Sequence, residues 1–316
     1  MPDDAARPAT MADMPVQRPV APASPAAARA RYFNSGNAFN VRLSPVPDMA
    51  FTEEPVLALA PDAPTGFVAC DIADRLDCPF PATTPLVLAR YARIRPGERL
   101  SSAFNCTAAI WYAISGSGES TAGGESIVWR AGDVFLLPGG TTWDHRAGRD
   151  GAVLWVVTNE PQLAFEGSRA PSTHRAPVVP VHYPAAEIER QIDRIYRVAM
   201  GDDTAGLALI FSSEAQEKAR NITPTLTLAM NTLPPGSFQR PHRHNSVAVT
   251  LVVRGERCYS MVDGRRKDWT PWATTITPPV SVHSHHNDGP SQARFLIVQD
   301  GGFYYHARTM GFEFKG

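Results

Sequence analysis

One frame of turn-forming and aromatic residues occurs twice in this chain of 316 residues, and this repetition limits the possible folds more than any other feature. Gly97 in the first copy matches Gly236 in the second, which lies 139 residues later. Beyond the next turn, Trp129 matches Trp269, 140 residues later, so the second copy carries one inserted residue. The repetition predicts two similar domains in tandem.

Short apolar runs separated by Gly, Pro and Asp turns fill both copies of the frame. The predicted strands are 86–94, 107–114, 126–129, 134–137 and 152–158 in the first copy, and 226–233, 247–253, 258–262, 274–277 and 293–299 in the second. Many short strands with frequent turn residues are typical of β-barrels and β-sandwiches. The chain is therefore expected to be all-β, apart from a short helical connector between its two domains.

The domain boundaries follow from shifts in composition. Residues 1–30 are rich in Ala and Pro and are expected to form a disordered tail. The first barrel is expected at 31–165, a Pro-rich connector with one helix at 166–220, and the second barrel at 221–316. The helix is predicted at 185–200, where Ile188, Ile192, Ile195 and Val198 recur near helical spacing.

Composition excludes several classes of protein. A net charge of −1 gives no indication of nucleic-acid binding. No apolar run approaches the roughly 20 residues that a membrane-spanning helix needs, and residues 1–30 lack the continuous hydrophobic segment of a signal peptide. The four cysteines contain no Cys-x-x-Cys pair and are interpreted as reduced thiols. We therefore expect a cytoplasmic protein that binds neither nucleic acid nor membranes.

Three histidines in the second copy are the candidate metal ligands. His242 and His244 are separated by one residue, so on a strand both imidazoles face the same side. His283 follows after a turn and a further strand-like run. Three neutral nitrogen ligands suit a divalent iron, copper, nickel or zinc ion. In the first copy the matching positions are occupied by Ala103, Asn105 and a tryptophan at 143, so only the second copy is expected to bind metal.

These motifs resemble the two-part cupin signature, in which a small jelly-roll barrel holds one metal ion. The runs 242–249 and 252–255 resemble, more closely, the gentisate 1,2-dioxygenase family of two-barrel cupins, whose relatives cleave salicylates and hydroxynaphthoates. Most cupins carry a Glu where this chain has Ala248. The gentisate 1,2-dioxygenase family typically lacks this Glu. The resemblance covers about 85–160 and 220–300 and implies two tandem cupin barrels.

The resemblance also implies a function. Ferrous iron would be held by three histidines alone, and an aromatic hydroxy acid and O2 would be the reactants of an extradiol-type ring cleavage. His285 resembles a family histidine that hydrogen-bonds substrate or oxygen, with a structural histidine as the alternative. Asn231 matches a position used for polar substrate contact, although it could instead satisfy a backbone group. Family members are homo-oligomers, and a tetramer is favoured.

The sequence departs from the family in two ways, one at the metal site and one at the substrate site. Well-known members carry the metal in the first barrel or in both, and the arginine that partners the substrate carboxylate is Thr250 here. Arg240 lies two residues before His242, so on a strand both side chains face the same side. Arg240 could replace that arginine, or could lie at the solvated surface. We therefore expect gentisate, salicylate or a substituted salicylate such as 5-nitrosalicylate. The alternatives are another metal-dependent cupin enzyme (a lyase or a diketone-cleaving dioxygenase) and a non-catalytic small-molecule-binding protein.

Overall fold

The computed structural model describes residues 8–172, 175–198 and 206–315, which divide into two units between Ser44 and Pro45. In the first unit, a 3-10 helix at Met11–Asp13 and helix α1 (Pro25–Ala28) are short and exposed. The Asn34 side chain donates to the carbonyl of Met11. This bond ties residues near 34 to the turn near 11, and residues 31–44 lie in this first unit, whereas the sequence predicts them in the first barrel.

The second unit consists mainly of β-strands. The strands are β1 (Met49–Phe51), β2 (Gly66–Ala69), β3 (Leu88–Ile94), β4 (Arg99–Ser102), β5 (Ala108–Ala122), β6 (Glu125–Arg130), β7 (Val134–Pro138), β8 (Trp143–Thr158), β9 (Val181–Tyr183), β10 (Leu207–Phe211), β11 (Thr227–Leu233), β12 (Phe238–His244), β13 (Ala248–Arg254), β14 (Cys258–Val262), β15 (Arg265–Asp268), β16 (Thr274–Thr277), β17 (His283–Asn287), β18 (Ala293–Gln299) and β19 (Phe312–Phe314). The helices are α2 (Glu53–Leu59), α3 (Glu160–Glu166), α4 (Ala185–Ile195) and α5 (Gly301–Ala307). All the predicted strands are present, which confirms the all-β class with two tandem barrels.

The first barrel is built on a sheet of order β2-β3-β8-β5-β7-β9, with β4 paired to β8 and β6 paired to β5. The second barrel has one sheet of order β1-β16-β13-β18-β11-β10 and another of order β15-β14-β17-β12-β19. The second of these sheets carries all three candidate metal ligands, on β12 and β17.

The two barrels exchange their leading strands. β1 precedes the first barrel in sequence but pairs with β16 of the second barrel. β9 precedes the second barrel but pairs with β7 of the first. Each exchanged strand is followed by a helix, α2 or α4, and then by a strand that joins its own barrel, β2 or β10. The connector therefore contributes two strands as well as the predicted helix, and the repeat extends further towards the N-terminus than the matched motifs.

Helix α4 packs through its isoleucines, as its spacing predicts. Ile188 and Ile192 are buried in the apolar cluster that joins the two barrels. The helix ends at Ile195, although the pattern predicts it to continue to 200. Val198 is exposed, so it adds nothing to the buried face, and residues 199 and 200 lie outside the described residues.

The contact between the barrels is largely apolar with one polar node. A single buried cluster contains core residues of both barrels, such as Leu136 of β7 and Leu251 of β13. Within it the Trp155 indole donates to the Thr274 hydroxyl at 2.9 Å, and the Tyr91 hydroxyl lies 2.7 Å from the same oxygen. The first bond gives the buried Trp155 indole its partner, and the Tyr91 hydroxyl also donates to the carbonyl of Trp272.

The interiors of the two barrels differ. The first is filled by a cluster of large side chains, in which Trp111 and Trp129 both stack on Phe135 and Trp143 is buried nearby. The second contains a much smaller apolar cluster around Phe295. In the part of the chain that the structure describes, no helix has both the length and the apolar composition needed to cross a membrane.

Candidate metal centre

The structure brings the three predicted metal ligands together. His242 and His244 lie on β12 and His283 on β17, and these antiparallel strands place His242 opposite His283. One ring nitrogen from each histidine lies within 4.8 Å of the others. All three side chains are buried. The pairing of two strands thus joins ligands that are some 40 positions apart in sequence.

Backbone carbonyls fix the orientation of each imidazole. The Nδ1 of His242 donates to the carbonyl of Arg240 at 2.7 Å, and that of His283 donates to the carbonyl of Ser281 at 2.9 Å. His244 donates in the same way to the carbonyl two residues ahead, at 2.8 Å. A neutral imidazole with its proton on Nδ1 carries its lone pair on Nε2. All three histidines therefore present a lone pair at Nε2.

The surroundings keep these histidines neutral. Burial, followed by the neighbouring imidazoles, lowers the pKa of His283 to about 3. Burial lowers the pKa of His244 to about 4 and also lowers that of His242. Metal binding requires the neutral form of histidine. Near neutral pH the three side chains are therefore ready to bind a cation without losing a proton.

The donor set fits a divalent transition-metal ion. Imidazole nitrogens suit zinc, copper, iron and nickel, whereas magnesium and calcium prefer oxygen ligands. Each ligating ring also has the hydrogen bond at its second nitrogen that is usual in metal sites. Among the described residues, His242, His244 and His283 form the one cluster of His, Cys, Asp or Glu that could hold a metal ion.

The ligands open onto a cavity of about 390 Å³, within the size range of small-molecule sites. Its wall combines small apolar residues with neutral polar ones. It is formed by Gly206, Ala208, Ile210, Thr227, Ala229, Asn231, Gln239, His242, His244, Ser246, Ala248, Thr250, Thr277, His283, His285, Ile297, Gln299, Tyr305, Met310 and Phe312. None of the described residues in this wall is Asp, Glu, Lys or Arg. A ligand with a negative charge would therefore meet no fixed counter-charge there except a bound metal.

The other predicted site residues divide into two groups. Asn231, Thr250 and His285 are buried and line the cavity. Arg240 is exposed, and its guanidinium lies over the ring of Phe314, with 4.3 Å from Cζ to the ring centre. The alternation of side chains that would place Arg240 beside His242 is interrupted, because the register of β12 against β17 shifts between residues 239 and 242.

Several cavity residues were not predicted from the sequence. The same register shift directs Gln239 into the cavity. Gln299 lies two residues after Ile297 on β18, and its amide nitrogen is 3.1 Å from Nε2 of His244. The alternation along that strand could have identified it. Phe312 stacks on the His242 ring with 5.3 Å between centres, because β19 pairs with β12. Nothing in the repeated frame corresponds to β19.

The matching positions of the first barrel have structural roles. The Asn105 side chain donates to the carbonyl of Ser168 and accepts from the amide of Ala170. Trp143 is buried and donates to the carbonyl of Pro138. These contacts, with the aromatic residues that fill the interior, explain why no ligand set forms there among the described residues.

Comparison with known proteins agrees with this architecture. A model of the cupin domain matches residues 229–299, and a model of the AraC-like ligand-binding domain matches residues 86–219. The 1-hydroxy-2-naphthoate 1,2-dioxygenase of Nocardioides sp. (strain KP7) is 29% identical over 162 residues, which is 50% of this chain and 40% of that protein. The gentisate 1,2-dioxygenase of Ralstonia sp. is 34% identical over 79 residues, covering 25% of this chain and 22% of that protein. The matches thus span less than half of each relative.

Solved structures extend the likeness to both barrels. The salicylate 1,2-dioxygenase of Pseudoaminobacter salicylatoxidans, in a structure with gentisate, superimposes with a TM-score of 0.71 at 12% identity, over 87% of each chain. A second structure of the same enzyme gives a TM-score of 0.69 over 84% of this chain and 88% of that one. The chain therefore has the fold of a two-barrel cupin.

Proposed function

We propose that this protein is an Fe(II)-dependent dioxygenase that opens the ring of an ortho-hydroxybenzoate, namely gentisate, salicylate or a substituted salicylate such as 5-nitrosalicylate. The bond broken would lie between the carboxyl-bearing and hydroxyl-bearing carbons, an extradiol-type cleavage in which both atoms of O2 enter the product. The observation that carries this proposal is a buried set of three imidazoles, without a carboxylate, in the wall of a neutral cavity.

The relatives support the reaction class. They include a 5-aminosalicylate 1,2-dioxygenase of Comamonas sp., 28% identical over 95 residues, as well as those described above. A ferrous ion held by His242, His244 and His283 would keep its charge of +2 and would supply a centre where electrons pass between an aromatic acid and dioxygen.

The neutral wall bears on the substrate. Because the described residues of the wall include no cation, the carboxylate and phenolate of the substrate would find their counter-charge at the metal alone. A carboxylate oxygen and a phenolate oxygen can bind one ion together when their groups are on adjacent ring carbons, whereas the groups of the meta and para isomers are too far apart. Thr250 stands where the resemblance to the gentisate dioxygenase family implies an arginine, which supports a substrate that differs from plain gentisate.

The cavity residues would bind and orient the aromatic ring. Ala208, Ile210 and Ile297 provide apolar surface that excludes water from the ring. Asn231 and Thr250 would form hydrogen bonds with polar substituents, since both are buried in the wall. His285 would donate a hydrogen bond to an oxygen of the substrate or of dioxygen. Holding the aromatic acid and dioxygen in one cavity lowers the entropic cost of bringing them together in a reactive orientation.

An oxygen-electrode assay with the iron-loaded protein tests this function. We expect oxygen uptake with salicylate, gentisate or 5-nitrosalicylate, and none with benzoate, phenol, 3-hydroxybenzoate or 4-hydroxybenzoate. The matched isomers have the same mass and functional groups, so they isolate the ortho arrangement. Equal uptake with the meta and para isomers would contradict binding through the ortho pair, and no uptake with any 2-hydroxybenzoate would contradict the proposed reaction.

The assembly is also part of the proposal. The resemblance to the gentisate dioxygenase family supports a homo-oligomer, with a tetramer favoured. Light scattering coupled to size-exclusion chromatography measures the mass directly, and a value equal to the 34.3 kDa chain would contradict this proposal.

A further inference from the structure

A hydrogen-bonded chain of three side chains occurs in both barrels. In the second barrel the Trp269 indole donates to the Ser260 hydroxyl at 2.9 Å, and this hydroxyl lies 2.8 Å from Nδ1 of His285. In the first barrel the corresponding chain runs from Trp129 through Ser120 to His145, with distances of 2.8 and 2.7 Å. All three pairs are 140 residues apart, so the chain belongs to the repeat itself.

The chemistry of the donors gives this chain one direction. An indole N–H can only donate, so the Ser260 oxygen accepts from Trp269. The Ser260 O–H then needs an acceptor, and in the described part of the chain Nδ1 of His285 is the one acceptor within hydrogen-bond distance. An imidazole that accepts at Nδ1 carries its proton on Nε2. His285 is thus the opposite tautomer to the three metal ligands, which donate from Nδ1.

The two barrels differ at the other ring nitrogen of this histidine. In the first barrel Nε2 of His145 lies 2.9 Å from the Ser102 hydroxyl, which can accept a hydrogen bond from the Nε2–H group. Ser102 pairs with Trp143 as His242 pairs with His283, so in the second barrel the candidate metal ligand His242 stands in place of this hydroxyl. Among the described residues, Nε2 of His285 has no protein partner, and His285 lines the cavity. The Nε2–H group of His145 thus has a partner within the first barrel, whereas that of His285 is available to a ligand in the cavity.

We propose that Ser260 and Trp269 are positioning residues that hold His285 as its Nε2–H tautomer, so that it acts as a hydrogen-bond donor in the cavity and not as a fourth metal ligand. That the accepting atom is an oxygen of the aromatic acid or of dioxygen rests on the proposed function. The tautomer itself does not, because it follows from the hydrogen bonds within the protein.

Nitrogen-15 NMR of histidine-labelled, metal-free protein tests the tautomer without any assay of activity. In the wild type we expect an unprotonated Nδ1 and a protonated Nε2 for His285. Ser260→Ala should turn this into a mixture of tautomers, and Ser260→Thr, which keeps the hydroxyl, should restore the single form. Ser120→Ala in the first barrel is the matched control and should change the signals of His145 but not those of His285.

The iron-loaded variants then test the consequence. We expect Ser260→Ala to keep the metal content of the wild type and to lower kcat about 10-fold or more, with a smaller change in KM. Ser120→Ala should leave both values unchanged. A wild-type His285 protonated at Nδ1, or a Ser260→Ala variant with the wild-type tautomer, would overturn the proposal. A wild type without oxygen uptake but with the expected tautomer would contradict the proposed function and leave the tautomer assignment standing.

Discussion

Four buried histidines share one cavity, and their hydrogen bonds give them two different roles. His242, His244 and His283 each donate from Nδ1 to a backbone carbonyl and present a lone pair at Nε2. His285 accepts at Nδ1 from Ser260 and presents a proton instead. Side chains of one type would thus serve as three metal ligands and one hydrogen-bond donor because their local partners differ.

The first prediction at the scale of residues concerns the ligands. Replacing His242, His244 or His283 singly with Ala should abolish metal retention, since two imidazoles form an incomplete site. Metal content after dialysis, measured by elemental analysis, checks this, and circular dichroism should show a retained β fold. An alanine variant that keeps the full metal content would mean that the replaced histidine is not a ligand.

The second prediction concerns His285. His285→Ala should retain iron but lower kcat by a factor of about 10² or more, because the variant lacks a donor positioned in the cavity. His286→Ala is the control, since His286 stacks on Tyr259 with 4.6 Å between ring centres and does not line the cavity. Normal turnover by the His285 variant would assign that residue a structural role.

At the scale of elements, the exchange of β1 and β9 makes the two barrels depend on each other. β1 precedes the first barrel in sequence but belongs to a sheet of the second barrel. β9 precedes the second barrel but belongs to the sheet of the first barrel. Exposed sheet edges invite association with other chains, and the exchange adds a strand to one edge of two of the three sheets. A stable contact between the barrels is therefore built into their strand pairing as well as into their packing.

The polar node between the barrels provides the prediction at this scale. Thr274→Val removes the acceptor of the Trp155 indole and a partner of the Tyr91 hydroxyl. Leaving the buried Trp155 indole unpaired should lower the free energy of unfolding by about 1–3 kcal/mol. Urea denaturation measures the change, with Thr275→Val as the control, because Thr275 is less buried and lies outside this node. Equal midpoints for the two variants would show that the node adds no stability.

At the scale of the whole molecule, one repeated frame has produced two different interiors. The first barrel is packed with aromatic side chains, and its Trp143 occupies the position of a metal ligand. The second contains a cavity whose wall holds the three candidate ligands. Since a filled core has no room for a ligand, the structural and ligand-binding roles are divided between the barrels.

This division predicts the metal stoichiometry. Elemental analysis of purified protein should find at most one tightly bound transition-metal ion per chain, because the matching positions in the first barrel hold alanine, asparagine and tryptophan. The His242→Ala variant provides the background value. Two well-occupied ions per chain would contradict a purely structural first barrel.

The sequence by itself determined the features that depend on local pattern. Strand alternation and the repeat located both barrels, and the His-x-His spacing with its distant partner His283 predicted the three candidate ligands that strand pairing brings together. The sequence also shows that the first copy lacks these histidines, because the two copies can be compared position by position.

Only the tertiary structure decided which strands pair and what surrounds each side chain. The exchange of β1 and β9 joins segments far apart in sequence, and no local pattern specifies such a partner. A register shift in β12 placed Gln239 in the cavity and left Arg240 outside it, although simple alternation predicts the reverse. The proton position on His285 depends on Ser260 and Trp269, which come from neighbouring strands and turns. Contacts of this kind form between elements, so they follow from how the barrels close and not from the order of residues within a strand.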